Sequence, residues 1–248
     1  MEVIPGALER AGLFGVIGYG LVINFAIYIG SLGVYSMLSV FPGNQRLGNR
    51  QPVILQDILL SIVTVFCNTL VFVLGVYLWK YGFIRLDKEY GFLQVAVELV
   101  SLTLIMDLLM YVFHRAVHFL SHMKQIHERH HEHQSTNLLS LFVLHPIESI
   151  GFGGMMLGVL IFYPFSAMGI SLYLLLNSLW GTIGHLNHSI LPPSWIKLAK
   201  KGFLCTSEFH YLHHRDPNYN FGFYTSVWDL LFKTIHPAYR NAATKTTI

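Results

Sequence analysis

Long stretches without charge decide what this chain can fold into. Residues 11–41 contain no charged side chain, whereas about 20 apolar residues already cross a bilayer as a helix. Two further apolar stretches, at 53–79 and 92–113, contain three acidic residues between them and no basic one. The first stretch is longer than the apolar core of a signal peptide, which predicts an anchor that stays in the membrane. With 53% hydrophobic and only 12% charged residues, the sequence predicts an integral membrane protein.

Histidines are grouped at helical spacing after the third apolar stretch. Offsets of three and four residues put the members of each group on one face of a helix. Neutral imidazole is the commonest metal-ligating side chain, and ten of them are too many for one ion. The pattern therefore predicts two metal ions. The ten residues are His114 and His118; His127, His130 and His131; His185 and His188; and His210, His213 and His214.

The apolar stretch at 139–184 explains how these groups can meet. It holds 46 mainly apolar residues, is interrupted near Tyr163 and Pro164, and is long enough for two crossings of about 20 residues each. A hairpin that crosses and returns leaves both of its ends on the same side of the membrane. We therefore predict an all-α integral membrane helical bundle of about four to five apolar segments, including this returning hairpin, with a His-rich helical cap.

The basic residues orient this bundle. If each of the first three segments crosses once, twelve Lys and Arg lie on the histidine side and four on the other. The positive-inside rule then places the cap in the cytosol, a reducing compartment that suits iron and the unpaired Cys67 and Cys205. We divide the chain into N-terminal transmembrane segments and loops at 1–91, a domain at 92–236 that contains the histidine groups, and a C-terminal tail at 237–248.

Several polar residues near the groups are candidates for supporting roles. Asp107 lies two helical turns before His114, so its carboxylate could accept a hydrogen bond from the free N–H of a ligating imidazole. The alternative is an acid that pairs with a neighbouring helix. His145, three residues before Glu148, is open to a supporting or a cavity role. The other histidines are expected at the surface: His122, His133 and His236.

Two other classes of protein stay open at this point. The sequence HERHH at 127–131 also satisfies HExxH, in which two histidines bind zinc and the glutamate is the general base of a protease. A membrane-embedded zinc metalloprotease would leave the other histidine groups without a role. A His-lined metal transporter needs ligands near the middle of the membrane, whereas these histidines follow the ends of the apolar stretches.

Three ordered segments carry a resemblance to a known family: DLLMYVFHRAVH at 107–118, IHERHH at 126–131 and FHYLHHRDPNYNFGFYTSVWDLLF at 209–232. They resemble the fatty acid hydroxylase and sterol desaturase superfamily, the membrane-bound histidine-box iron oxygenases, over roughly 92–236. The resemblance implies a four-helix membrane bundle beneath a cytosolic cap. It also implies two non-haem irons that activate O₂ with electrons from an external carrier.

At matching positions the resemblance implies eight metal ligands, and a middle element that varies within the family supplies more. It leaves open whether His185, His188 or both bind a metal. Lys233 stands where many relatives have glycine. The eight implied ligands are His114, His118, His127, His130, His131, His210, His213 and His214.

The implied function is that of an O₂-dependent diiron oxidoreductase that hydroxylates or desaturates a C–H bond of a membrane lipid, of sterol or fatty-acyl type, in lipid biosynthesis or modification. Its electron donor would be of the cytochrome b5 or ferredoxin type, with the matching reductase. The expected location is the endoplasmic reticulum membrane in a eukaryote and the inner membrane in a bacterium. A net charge of +3, without basic runs interleaved with aromatics, gives no indication of nucleic-acid binding.

Overall fold

The computed structural model of the protein describes residues 3–40, 45–49, 51–88 and 90–244. The connection at 41–52 and the predicted tail at 237–248 therefore lie partly outside the described residues. Two short strands, β1 (Gln45–Arg46) and β2 (His188–Ser189), and a 3₁₀ turn at Ser140–Phe142 accompany the helices. The described helices are α1 (Val3–Arg10), α2 (Leu13–Ser39), α3 (Leu55–Lys80), α4 (Phe92–Phe119), α5 (Ser121–His131), α6 (Pro146–Phe162), α7 (Ala167–Gly184), α8 (Pro193–Lys201), α9 (Ser207–Arg215), α10 (Val227–Leu231) and α11 (Pro237–Thr244).

Five of the described helices form an apolar bundle. The helices α2, α3, α4 and α7 are each long and apolar enough to cross a membrane, and α6 is a shorter apolar helix of 17 residues. Within the bundle α2 packs on α3 and α7, α3 packs on α6, and α4 packs on α7. The prediction of a helical membrane bundle is confirmed, and the two-residue β1–β2 ladder is a small addition to it.

The predicted returning hairpin is formed by α6 and α7. His145 caps the start of α6, where its Nδ1 accepts from the backbone N–H of Ile147, and Pro146 occupies the first turn. Ser166 caps α7 in the same way, because its Oγ accepts from the backbone N–H of Gly169 at 3.0 Å. The start of α6 contacts α5 and the end of α7 contacts α9, so the hairpin begins and ends beside the cap, as the arrangement of the histidine groups requires.

Buried acids in the bundle are satisfied by hydrogen bonds. At the end away from the cap, Glu98 of α4 accepts from the backbone N–H of Ser166 at 3.1 Å and from Gln94 at the same distance. Carboxylates at membrane depth are costly unless they face such partners. These contacts join the start of α4 to the turn between α6 and α7, and they hold the far end of the bundle together.

The cap is built from α5 and α8 to α11. The ladder pairs Arg46 with His188, so β1, which lies between α2 and α3 in the chain, is part of the cap. Below the cap, an apolar core of α4, α6 and α7 includes Leu102, Met106 and Tyr173. The histidines of the cap therefore lie directly above a closed hydrophobic interior.

Candidate metal centre

Nine of the ten predicted histidines converge in two compact groups. Within each group, one nitrogen of every member lies within 4.8 Å of the corresponding atoms of the others. The first histidine group contains His114, His118, His127, His131 and His213, and the second histidine group contains His130, His185, His210 and His214.

The two HxxHH sequences each serve both groups. In α5 the outer pair, His127 and His131, belongs to the first histidine group and His130 to the second. In α9 the relation is reversed, because the outer pair belongs to the second histidine group and His213 to the first. The last turns of α4 add two members to the first group, and His185 at the end of α7 joins the second. Each candidate site is therefore assembled from several helices.

The nitrogens of the second histidine group have the spacing of ligands around one ion. The Nε2 atom of His210 lies 3.0 Å from those of both His185 and His214, and His130 Nε2 lies 3.4 Å from His185 Nε2. Imidazole nitrogens about 2.1 Å from a metal lie roughly 3 to 4 Å from one another. The observed separations match that range.

In five histidines the Nδ1 atom contacts a hydrogen-bond acceptor outside the group. The Nε2 atom of each ring therefore faces the other members of its group. A carbonyl or carboxylate can only accept, so Nδ1 carries the proton and Nε2 carries a lone pair in the neutral ring. Lone pairs that face one another repel unless a cation lies between them. The Nδ1–H groups donate from His114 to Phe221 O (3.0 Å), from His130 to Val143 O (3.2 Å), from His185 to Gly181 O (2.8 Å), from His213 to Tyr219 O (2.7 Å) and from His127 to Glu148 Oε1.

Burial keeps these imidazoles neutral. It lowers the pKa of His131 to about 3 and that of His185 to about 4, and it holds the pKa of His213 well below the usual range. In the described part of the chain, the buried Nε2 atoms of His127 and His213 have no hydrogen-bond partner. An unpaired buried polar atom costs about 1–3 kcal/mol. Neutral rings with unpaired inward nitrogens fit two bound metal cations.

His188 stands apart from both groups. It lies in β2, where its backbone pairs with Arg46 and its carbonyl accepts from Ser207 Oγ at 2.9 Å. Its Nδ1 is buried without a hydrogen-bond partner among the described residues. The structure therefore brings His185, and not His188, to the second histidine group.

Asp107 contacts the segment after α9 rather than an imidazole. Its carboxylate accepts from the backbone N–H groups of Tyr224 and Thr225 at 2.9 and 3.1 Å, from Thr225 Oγ1 at 2.5 Å and from Trp228 Nε1 at 3.1 Å. His114 instead donates to the Phe221 carbonyl. These donors from the segment after α9 contact both oxygens of Asp107, so the structure does not show the predicted contact between its carboxylate and an imidazole.

Glu148 contacts an imidazole of the first histidine group, that of His127. It lies in the first turn of α6 and is 1% exposed, and its second oxygen accepts from the backbone N–H of His145 at 3.0 Å. His145 itself is the cap of that helix and belongs to neither histidine group. The HPIE sequence therefore contributes through its glutamate, which fixes the ring of His127.

Of the three histidines that we expected at the surface, one is buried. His122 is exposed and His236 is partly buried, but His133 is only 1% exposed. His133 lies between Ser140 Oγ, at 2.7 Å from Nδ1, and Asp57 Oδ1, at 3.1 Å from Nε2. This position was not predictable from helical spacing, because Asp57 comes from a distant apolar stretch.

Backbone carbonyls in the NYNFG sequence at 218–222 were missed as supports of the site. Asn220 adopts a left-handed conformation with φ 61°, and its side chain donates to the Phe209 carbonyl at 2.9 Å. The backbone N–H of Phe221 donates to Asp229 Oδ1 at 2.8 Å. These contacts aim the carbonyls of Tyr219 and Phe221 at His213 and His114. An asparagine between two aromatics, followed by glycine, is a turn signal that could have indicated them.

The positions of Glu128 and of the histidines do not fit a zinc protease or a metal transporter. A zinc protease needs Glu128 beside the metal as a base, but Glu128 is exposed to solvent while its neighbour His127 is buried. A transporter needs ligands near mid-membrane, but His114 and His118 lie in the last two turns of α4 and the remaining members lie in the cap or at helix ends.

A membrane helical bundle with two buried histidine groups at one end defines a membrane-bound protein with two candidate metal sites. Residues 99–234 match the sequence profile of the family described as fatty acid hydroxylase. This match covers more than half of the chain, so the protein belongs to the fatty acid hydroxylase family. Both histidine groups lie inside the matched region.

Three curated relatives each match somewhat more than half of the chain. The chain is 30% identical over 136 residues to Protein CER1-like 2 of Arabidopsis thaliana, which covers 52% of this chain and 22% of the relative. It is 28% identical over 148 residues to lathosterol oxidase of Homo sapiens, which covers 58% of this chain and 46% of the relative. It is 28% identical over 136 residues to very-long-chain aldehyde decarbonylase GL1-4 of Oryza sativa subsp. indica, over 52% of this chain and 22% of the relative.

The chain spans less than half the length of these relatives. No solved structure matches it.

Proposed function

We propose that this protein is an O₂-dependent iron oxidoreductase that hydroxylates or desaturates a C–H bond of a membrane lipid. The observation that carries the proposal is the pair of buried histidine groups at the cap end of an apolar bundle. Imidazole ligation suits iron, and an iron centre with open positions supplies the activation of O₂ that cleavage of an unactivated C–H bond requires.

The ligands we propose are the nine histidines of the two groups, five for one metal and four for the other. We keep His188 as a candidate for the second metal, because its Nδ1 is buried without a partner in the described part of the chain and it follows His185 by three residues. The chain's own contribution is to hold the inward nitrogens in place and to exclude water. Glu148 and the carbonyls of Tyr219 and Phe221 do the first, because they fix individual rings.

The substrate we propose is a sterol-like or long-chain lipid. The interior below the cap is apolar, and two of the relatives are named as a lathosterol oxidase and a very-long-chain aldehyde decarbonylase. A small cavity touches His185 and His210 and is lined by Trp180, Phe209 and Phe223. This cavity is far smaller than a lipid tail, so we expect the aromatic side chains to move when substrate enters.

The overall reaction needs an external reductant. Hydroxylation consumes O₂, two electrons and two protons, inserts one oxygen atom into the C–H bond and releases one water. Desaturation removes two hydrogens and releases two waters from the same O₂ and two electrons. We propose a donor of the cytochrome b5 or ferredoxin type, with its reductase, and a cap that faces the cytoplasm. The membrane would be the endoplasmic reticulum in a eukaryote or the inner membrane in a bacterium.

The test is a comparison of the lipids of cells that express the protein or its His213→Ala variant. A matched control is His122→Ala, which removes an exposed histidine outside both groups. We expect the native protein and the control to produce the same new lipid. A gain of one oxygen selects hydroxylation, and a loss of two hydrogens selects desaturation. Identical lipids in all three cultures, with a changed water-soluble metabolite, would contradict the proposal.

A further inference from the structure

Helix α8 presents apolar side chains to the outside although it is not one of the apolar bundle helices. Trp195 and Leu198 lie on the same side of this helix and are 63% and 66% exposed. Phe203 and Leu204, in the turn that follows, are also exposed. Such a cluster of large apolar side chains on a cap needs a partner that removes it from water.

The turn at the end of α8 is linked by hydrogen bonds to the membrane-spanning helix α4. The Phe203 carbonyl accepts from the backbone N–H of Ser226 at 2.7 Å, and Leu204 bridges to Thr225. Thr225 in turn donates to Asp107 of α4. Asp107 lies seven residues before His114 in α4. It is therefore roughly 10 Å further from the cap along the helix axis.

Exposed apolar side chains also follow this attachment point along the chain, in and just after α10. Val227, Leu231 and Phe232 are all exposed there. The α8 cluster is therefore joined, through the turn at 203–204, to exposed apolar side chains in a segment that is hydrogen-bonded to a membrane-spanning helix. This connection points to the membrane, rather than to a second protein, as the occupant.

The charged residues of α8 suit the same occupant. Lys197 and Lys201 are exposed and one turn apart, and the sequence PSWIKLAKK contains no acid. Lys200, by contrast, is buried, pairs with Glu208 at 2.9 Å and lies 4.3 Å from the centre of the Tyr239 ring. This inward contact fixes the rotation of the helix, so that the other two lysines stay at the edge of the apolar face. Lysines beside an apolar face are typical of helices that lie in a membrane interface.

Phe203 supplies a further observation. Its φ of 60° lies in the left-handed region, where a bulky side chain costs about 1–2 kcal/mol. Packing in the core does not offset this cost, because the Phe203 side chain is exposed. Burial of this ring in lipid would offset it.

We propose that α8 and the turn at 203–204 form an interfacial anchor, which inserts Trp195, Leu198 and Phe203 into the cap-side leaflet and binds anionic lipid headgroups through Lys197 and Lys201. The anchor would hold the cap against the membrane at a fixed depth. It does not depend on the proposed chemistry, because none of its residues belongs to either histidine group.

The test uses the full-length protein in lipid nanodiscs with a spin label at Leu198→Cys or, as a matched control one position earlier, at Lys197→Cys. The native Cys67 and Cys205 are buried, and labelling of the unsubstituted protein gives the background. We expect the Leu198→Cys label to collide more with O₂ than with a water-soluble nickel chelate, and the Lys197→Cys label to show the opposite preference. Equal exposure of both labels to the nickel chelate would overturn the proposal and indicate a surface that faces water or a protein partner.

A second measurement tests the charged part of the anchor. The protein is purified in detergent, and the ratio of bound phosphatidylglycerol to phosphatidylcholine is compared with that of the Lys197→Gln and Lys201→Gln variants. Each substitution is expected to lower the preference for the anionic lipid about fivefold, since one lysine near a membrane surface contributes about that factor. An unchanged ratio in both variants would overturn the headgroup contact.

Discussion

His133 donates from Nε2 to Asp57 Oδ1 across 3.1 Å, although Asp57 lies in α3 and His133 just after α5. Arg129 of α5 donates to the same carboxylate oxygen. Asp57 is 0% exposed and lies outside the region that matches the family profile. One buried acid from the N-terminal half therefore holds the helix that carries His127 and His130.

Replacement of that acid should destabilise α5. Asp57→Asn removes the negative charge opposite Arg129, and because the Arg129 side chain is 19% exposed we expect a loss of about 2 kcal/mol in the free energy of unfolding rather than the larger cost of a fully buried pair. Hydrogen exchange of the α5 backbone should become faster. Thermal unfolding in detergent, together with exchange measurements, checks both effects.

Glu132→Gln is the matched control for this change. Glu132 pairs with the other terminal nitrogen of Arg129, but its side chain is 57% exposed. An exposed pair contributes about 0–1 kcal/mol, so the control should behave nearly like the native protein. If both substitutions had the same effect, the contact with Asp57 would not be the one that holds α5.

Asp107→Asn should weaken the contact between α4 and the segment after α9 while leaving the metal ligands in place. The carboxylate accepts four hydrogen bonds, and an amide has only one acceptor oxygen for them, which predicts a loss of about 2–3 kcal/mol. Trp228→Phe removes a single donor and should cost about 1 kcal/mol. Unfolding temperature and bound metal are measured together. A variant of normal stability that loses metal would instead support the ligand-orienting role.

Lys233→Gly should stabilise the protein. The φ of Lys233 is 59°, a left-handed conformation that is strained for any residue with a Cβ atom and open to glycine. We expect a gain of about 0.5–1 kcal/mol in the free energy of unfolding. Lys233→Ala is the control, because it removes the charge but keeps the Cβ atom, and it should show no gain. Equal stability of the two variants would exclude backbone strain as the cause.

Much of the architecture could be predicted because a bilayer imposes simple length rules. The apolar stretches at 11–41, 53–79 and 92–113 correspond to α2, α3 and α4, with shifted ends. The stretch at 139–184 splits into α6 and α7 on either side of the predicted break at 163–164. Of the ten histidines grouped by sequence spacing, nine converge, and His188 stands apart.

The division of these histidines between two groups could not be predicted. In HxxHH all three rings lie within roughly 100° of one another on the helix, so spacing alone cannot assign them to different metals. The division depends on which neighbouring helices face each ring. The same limit explains Asp107 and His133, whose partners come from Thr225 and Asp57, more than 70 residues away in the chain.

Glu128→Gln separates the proposed oxygenase from a zinc protease that uses the same five residues. Glu128 is exposed and belongs to neither histidine group, so the substitution should leave most lipid oxidation and all bound metal unchanged. The assay compares the new lipid formed by the variant and by the native protein in the same cells. Loss of all activity with unchanged metal content would favour the glutamate as a general base.

If the two histidine groups are two separate iron sites, each should lose its own iron when one of its members is replaced, and the metal content of single variants tests this most directly. His118→Ala removes a member of the first histidine group only, and His210→Ala removes a member of the second only. Protein from iron-replete cells is purified, and iron and zinc per chain are measured by mass spectrometry. We expect about two irons in the native protein, a loss of about one in each variant, and a loss of nearly all iron when both residues are replaced. One zinc per chain without iron, or full iron content in either variant, would contradict this account.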